Sequence, residues 1–122
     1  MVKMDIKQLR DLTLSIQILN QNKIFHRDLK PNNILMNNGY PIIIDFDCSY
    51  FWEPKLEKWL RGKGLTTKYY PENDIEQDKI DIYSLGIIGR EFVENCPEQF
   101  SIGATLEYQD RYSLIQLEKL LN

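Results

Sequence analysis

The sequence predicts an α+β fold, mainly helical with one small β-hairpin, and three observations predict it. Apolar residues recur at helical spacing over 6–19, 82–93 and 114–121. Two β-rich runs, Ile34-Leu35-Met36 and Ile42-Ile43-Ile44, flank the turn-forming stretch Asn37-Asn38-Gly39-Tyr40-Pro41. The length of 122 residues is one domain's worth of chain, with room for a single modest core.

In chain order, Ile6, Leu9, Leu12, Ile16 and Leu19 form one face of an amphipathic helix. Leu14 and Ile18 widen that stripe, so the helix is expected to be well buried. The polar stretch Asn20 to Lys23 is its exit, and Ile24-Phe25 leads into His26. Asn38-Gly39 is the strongest short hairpin signal, because both residues tolerate positive φ. A hairpin there places Asn33, just before the first strand, close to Asp45, just after the second. Downstream, Ile82, Leu85, Ile88, Phe92 and Val93 supply the apolar faces of a second long helix, which Asn95-Cys96-Pro97 is expected to end. Residues 98–110 are expected to be loop with one short turn. Arg111-Tyr112-Ser113 then opens a last helix carrying Leu114, Leu117, Leu120 and Leu121 on one face.

Composition narrows the function classes. Apolar residues make up 43% and charged residues 27%, and the net charge is -3. That balance is ordinary for a globular chain and gives no support to binding of nucleic acid or of a membrane surface. Cys48 and Cys96 form no metal-spaced pair, and their expected state is reduced, inside a cell. Met1 to Ile6 carries charges and no apolar core of a signal peptide, so the cytoplasm is the expected location.

The stretch that carries chemistry is His26-Arg27-Asp28-Leu29-Lys30-Pro31-Asn32-Asn33, followed by Asp45-Phe46-Asp47. Phosphoryl transfer from ATP needs a carboxylate near the attacking hydroxyl, a cation on the moving phosphate and oxygen ligands for metal ions. Asp28, Lys30, Asn33 and Asp45 are those residue types. The run from His26 to Asn33, in register with the second motif, resembles the catalytic loop of the eukaryotic-type protein kinase family. One residue at a time each has a plainer reading: Asp45 as a turn residue after a strand, Phe46 as ordinary core. Together they favour the resemblance.

The resemblance implies a Ser/Thr-type kinase whose cofactors are ATP and Mg2+. Asp28 would orient the substrate hydroxyl or accept its proton, Lys30 would stabilise the γ-phosphate, and Asn33 and Asp45 would bind magnesium. Phe46 would pack beneath Asp45. Asp47 stands where the family has Gly, which permits backbone conformations that Asp reaches only at some cost. The extra carboxylate either raises the demand for cation or marks a loop that no longer switches. Residues 48–67 occupy the place of an activation segment, with the aromatic cluster Tyr50-Phe51-Trp52 and the basic residues Lys55, Lys58, Arg61 and Lys63. Thr66 and Thr67 are either phosphorylation sites, whose phosphate Arg27 would pair, or plain surface threonines.

Tyr70-Pro71-Glu72 is similar to the family's Ala-Pro-Glu element. Asp81-Ile82-Tyr83-Ser84-Leu85-Gly86 is similar to the start of its central helix, whose aspartate holds the catalytic loop through backbone amides. By the same resemblance Arg111 would pair with Glu72. Without the upstream motifs, Asp81 would be a helix cap.

No Gly-x-Gly-x-x-Gly and no Val-Ala-Ile-Lys-like strand occur, so the resemblance covers residues 1–122 as a large lobe only. Three readings stand. The first is a kinase catalytic lobe acting on a protein hydroxyl. The second is an inactive pseudokinase-like binding module or gene fragment, whose partner would cover the face of the missing small lobe, or supply that lobe. The third is a phosphotransferase acting on a small molecule, which the Ser-Leu-Gly helix start and the Tyr-Pro-Glu element argue against.

Overall fold

Asp5 starts the chain's first helix by closing a reciprocal cap. Its Oδ1 accepts the Gln8 N–H at 2.8 Å, and the Gln8 side chain accepts the Asp5 N–H at 3.0 Å. The structure, a computed structural model, describes residues 3–62 and 78–122. Thr66, Thr67 and Tyr70-Pro71-Glu72 therefore lie outside the described residues. Helix α1 (Ile6–Gln21) buries Leu9, Leu12 and Ile16 completely. Burying each such side chain contributes about 1.5–3 kcal/mol. The expected wider stripe does not hold, because Ile18 is 61% and Leu14 37% exposed. Those two point away from the core that α2 (Ile80–Phe92) and α4 (Leu114–Lys119) build against the other face.

Strands β2 (Ile34–Asn37) and β3 (Tyr40–Ile43) form the expected antiparallel hairpin, in register from Ile34↔Ile43 to Asn37↔Tyr40. Its two-residue turn has φ of 52° at Asn38 and 83° at Gly39, the left-handed pair that fits the twist of a tight hairpin. Ile44 falls just past the strand, and its N–H donates to the Asn33 carbonyl at 2.9 Å.

A second, three-stranded sheet was not expected. It joins β1 (Ile24–Phe25), β4 (Tyr50–Glu53) and β5 (Lys58–Arg61) in the order β1-β4-β5. The aromatic residues that read as a cluster are its cross-strand pairs. Tyr50 stacks on Trp59 at 4.6 Å, and Trp52 meets Trp59 edge-on at 5.8 Å.

Helix α2 ends at Phe92, before Asn95-Cys96-Pro97, because Val93 turns extended and bridges Met4. Residues 98–110 are not the expected loop. They form helix α3 (Glu98–Ala104) and a 3-10 turn at Tyr108–Asp110. Phe100 and Ala104 bury against α2, where Gly86 and Gly89 leave room; a Cβ on Gly86 would lie 2.7 Å from the Ala104 methyl. Ser101 and Gly103 dilute the apolar pattern of this short helix, which is why the sequence hides it. Ser113 caps α4 with Gln116 as Asp5 does α1, and Leu114, Leu117 and Leu121 are buried.

Candidate active site

Asp81, at the start of α2, is fully buried and anchors the loop that follows β1. Its Oδ2 accepts the His26 N–H and its Oδ1 the Arg27 N–H, both at 2.8 Å. Asn20, at the end of α1, adds a side-chain N–H at 3.3 Å. Burial pushes the Asp81 carboxyl up from its ordinary value, against the pull of the Arg27 and His26 amides. These bonds hold Arg27 at φ 71°, a left-handed conformation that a non-glycine residue keeps only when its surroundings fix it.

His26 is buried and committed on both ring nitrogens. Nδ1 accepts the Asp28 N–H at 3.1 Å and Nε2 lies 2.8 Å from the Ile44 carbonyl. An amide can only donate and a carbonyl only accept, so the ring proton sits on Nε2. His26 thereby ties the loop bearing Asp28 to the end of the β2–β3 hairpin, one residue before Asp45.

The structure brings Asp28, Lys30 and Asn33 together. Asn33 Nδ2 donates to the Asp28 carbonyl at 2.8 Å and to its Oδ2 at 3.1 Å. Lys30 Nζ lies 3.7 Å from the same Oδ2. The other carboxylate oxygen, Asp28 Oδ1, is buried without a hydrogen-bond partner. A carboxylate with one oxygen bonded and one unpartnered among the described residues keeps acceptor capacity for a substrate hydroxyl.

Asp45 sits beside Asn33 through the Ile44 N–H to Asn33 carbonyl bond, as the hairpin predicts. It adopts φ 60°, and its exposed carboxylate accepts the Asp47 N–H at 3.2 Å. Asp47 itself is not among the residues of positive φ, so replacing the family's glycine costs no backbone strain in this conformation. The Phe46 ring meets the His26 ring edge-on at 4.8 Å but stays 42% exposed, so it is not the packed core residue expected. Beside it opens an apolar groove of about 340 Å³ lined by Ile18, Leu19, Pro41, Ile42 and Ile43.

For a magnesium ion the chemistry of the donor set fits. Asn33 Nδ2 is committed to Asp28, which leaves its amide oxygen for a hard cation, and the neighbouring Asp45 supplies an exposed carboxylate. Among the described residues no group of three or more His, Cys, Asp or Glu is placed to hold a metal by itself. Two protein oxygen ligands, completed by water and phosphate, are what Mg2+ ordinarily takes.

Arg27 lies 1% exposed, with Nη1 donating to the Cys48 carbonyl at 2.8 Å and Nε and Nη2 without hydrogen-bond partners. Burial and the neighbouring Asp28 raise the Cys48 thiol, so it is a poor nucleophile. Arg111 is buried, bonded to the Leu106 carbonyl at 2.8 Å and stacked over Tyr83, while its expected pairing with Glu72 falls outside the described residues. Asn20 was missed by the sequence reading. Asn20 looked like a helix exit, and nothing local to it signals a bond to a residue 61 positions away.

The protein kinase domain family model matches residues 4–119. The chain is 28% identical over 94 residues to a Wee1-like protein kinase of Arabidopsis thaliana, covering 73% of the chain and 18% of that protein. It is 35% identical over 97 residues to Aurora kinase A-B of Xenopus laevis, covering 75% and 22%. It is 30% identical over 98 residues to serine/threonine-protein kinase PAK 1 of Mus musculus, covering 72% and 17%. The chain thus spans less than a quarter of the length of each of these relatives.

Proposed function

The chain belongs to the protein kinase domain family, and on that premise we propose that it is the large lobe of a serine/threonine kinase, transferring the γ-phosphate of ATP to a protein hydroxyl. The observation that supports this most is the Asp28 carboxylate: buried, held on Oδ2 by Asn33 and Lys30, and unpartnered on Oδ1 among the described residues.

In this reading the Asp28 carboxylate receives the hydrogen bond of the substrate hydroxyl and orients it, taking its proton as the new bond forms. Lys30, 3.7 Å from Oδ2, is near enough to lend its charge to the transferred phosphoryl group. Asn33 and Asp45 would hold magnesium, which when bound neutralises charge on the phosphate oxygens. His26 and Asp81 keep the loop in its conformation and touch no reactant. These 122 residues carry no Gly-rich phosphate-covering loop, so completion of the nucleotide site by residues outside them, on the same polypeptide or another, is part of the proposal. A cytoplasmic location is proposed with it.

The test is phosphotransfer to a mixed Ser/Thr peptide pool, with a small-lobe fragment of a related kinase added in trans. Activity that disappears in Asp28→Asn, with the fold intact, is the expected result. Equal activity in the two proteins would sink the assignment.

A second reading, a pseudokinase-like binding module, is favoured by the groove beside Phe46. Its walls carry no charged side chain, and Ile18 and Ile42 are 61% and 43% exposed. Under this reading Asp28→Asn leaves the cellular role intact, and a charged residue at position 18 abolishes it.

A further inference from the structure

We propose that Gly62 is a positioning residue for the Asp45–Asp47 turn: only a residue without a Cβ lets the end of β5 close on the Asp47 carbonyl, and that closure keeps Asp45 in place. The proposal rests on the reading of Asp45 as a cation ligand only for its consequence; the clamp is a feature of the protein alone.

Strand β4 is paired on both sides, to β1 through Ile24↔Phe51 and Phe25↔Tyr50, and to β5 from Tyr50↔Arg61 to Glu53↔Lys58. The β4–β5 hairpin is therefore anchored beside the loop that starts at His26. The ladder runs one step past Arg61, where the Gly62 N–H donates to the Ser49 carbonyl at 2.7 Å. That bond brings the Gly62 Cα onto the Asp47–Cys48 peptide. A Cβ there would collide with the Asp47 carbonyl oxygen and lie 2.8 Å from its carbon and 2.9 Å from the Cys48 carbonyl carbon. All three atoms are backbone, so no rotamer change relieves the clash.

The backbone that Gly62 contacts, from Asp47 to Ser49, is wired to the site. The Asp47 N–H donates to Asp45 Oδ1 at 3.2 Å, the Ser49 N–H to the Phe46 carbonyl at 3.0 Å, and Arg27 Nη1 to the Cys48 carbonyl at 2.8 Å. Asp45 holds φ 60°, a conformation that relaxes unless neighbours over-determine it. Displacing the Asp47 and Cys48 backbone strains all three bonds, the one to the Asp45 carboxylate among them. Glycine is required here for space. At Gly39 it is required for φ 83°, with nothing within 4 Å of an added Cβ, and that makes Gly39 the control.

The experiment is amide hydrogen exchange by NMR on metal-free wild type, Gly62→Ala and Gly39→Ala. Expected in Gly62→Ala is exchange at Ser49 and at position 62 faster by about tenfold or more, with α2 amides at wild-type rates. In Gly39→Ala the Ser49 amide keeps its wild-type rate relative to α2. Both tryptophans of the chain, Trp52 and Trp59, sit on this hairpin, so a red shift of tryptophan emission confined to Gly62→Ala is the accompanying signature. A folded Gly62→Ala whose Ser49 amide exchanges at the wild-type rate overturns the proposal. If that variant does not fold, wild type decides. Gly62 and Ser49 amides protected by roughly a hundredfold or more support the clamp, and unprotected amides overturn it. Addition of Mg2+ to wild type tests the ligand reading separately: no shift at Asp45 removes that reading, and the clamp result stands.

Discussion

Asp81 accepts the backbone N–H of His26 on one carboxylate oxygen and that of Arg27 on the other, each at 2.8 Å, across 55 and 54 residues of sequence. Helix α2 thus holds the His26–Asn33 loop by its main chain and leaves the Asp28 and Lys30 side chains of that loop out of the anchoring. Asp81→Asn keeps one acceptor and turns an NH2 group against the second amide, so two donors face each other in a buried site. The expected loss is about 2–4 kcal/mol of folding stability, from an unsatisfied buried amide and a broken charge-assisted bond. Urea denaturation with the m-value unchanged checks it. A loss below about 0.5 kcal/mol would mean the loop holds itself.

The same carboxyl gives a pH dependence. Burial raises its folded-state value above the ordinary 3.8, so the folded protein binds the Asp81 proton more tightly than the unfolded chain does. Its contribution is therefore fully present below 3.8 and is lost as pH rises through the folded-state value. Measured as the difference between wild type and Asp81→Asn, stability should tilt toward wild type as pH falls through that window. A difference that is flat with pH, or tilts the other way, would show the amides of His26 and Arg27 outweighing burial.

Asn33 holds Asp28 at two points, its carbonyl at 2.8 Å and its carboxylate at 3.1 Å. Asn33→Ala leaves the Asp28 carboxylate with Lys30 alone, at 3.7 Å. The expected cost is about 1–2 kcal/mol of stability from the lost bonds. A larger effect, about a hundredfold or more, is expected on phosphotransfer, because a mispositioned reacting group loses rate steeply. Measuring both on one preparation separates them. Equal proportional losses would make Asn33 merely structural.

Much of this site was legible in the sequence, because its residues lie in two short runs joined by a hairpin that Asn38-Gly39 announces. The adjacency of Asn33 and Asp45 follows from that hairpin's register. What was hidden depends on distant pairing. The three-stranded sheet pairs β1 with a strand 26 residues further on, Ile24↔Phe51 and Phe25↔Tyr50, and a two-residue strand has no period of its own to read. Helix α3 was hidden because Ser101 and Gly103 sit where an apolar residue would mark the buried face. Exposure of Leu14 and Ile18 could not be read either. Periodicity shows which residues share a face, and whether a neighbour covers that face is a property of the rest of the fold.

That exposure makes its own prediction. The groove beside Phe46 offers apolar wall without charge, and Ile18 and Ile42 gain little by their present burial. Ile18→Asn should change stability by no more than about 0.5 kcal/mol. It should also lower the fluorescence of an added apolar dye such as anilinonaphthalene sulfonate. Unchanged dye binding would place the accessible apolar surface elsewhere.

The fit of Asn33 and Asp45 to magnesium is tested most directly by thermal unfolding with and without Mg-ATP. A ligand that binds only the folded state at a hundred times its Kd adds about 2.7 kcal/mol, which for a domain of this size raises Tm by roughly 10 °C. The lone chain is expected to bind Mg-ATP weakly, so the shift is read at saturating ligand; there wild type is expected to shift, and Asp45→Asn to shift by less than half as much, since it loses the one carboxylate of the pair. Among the described residues the exposed Asp45 carboxylate accepts a hydrogen bond only from the Asp47 N–H, so the variant should fold as wild type does without ligand. Magnesium alone should give a small part of the effect, because two protein oxygens bind the ion weakly until phosphate completes its shell. A shift of equal size in both proteins would move the nucleotide away from Asp45. No shift in either would mean that the nucleotide site forms only with a partner, and the same titration repeated with the small-lobe fragment in trans then decides between catalytic lobe and binding module.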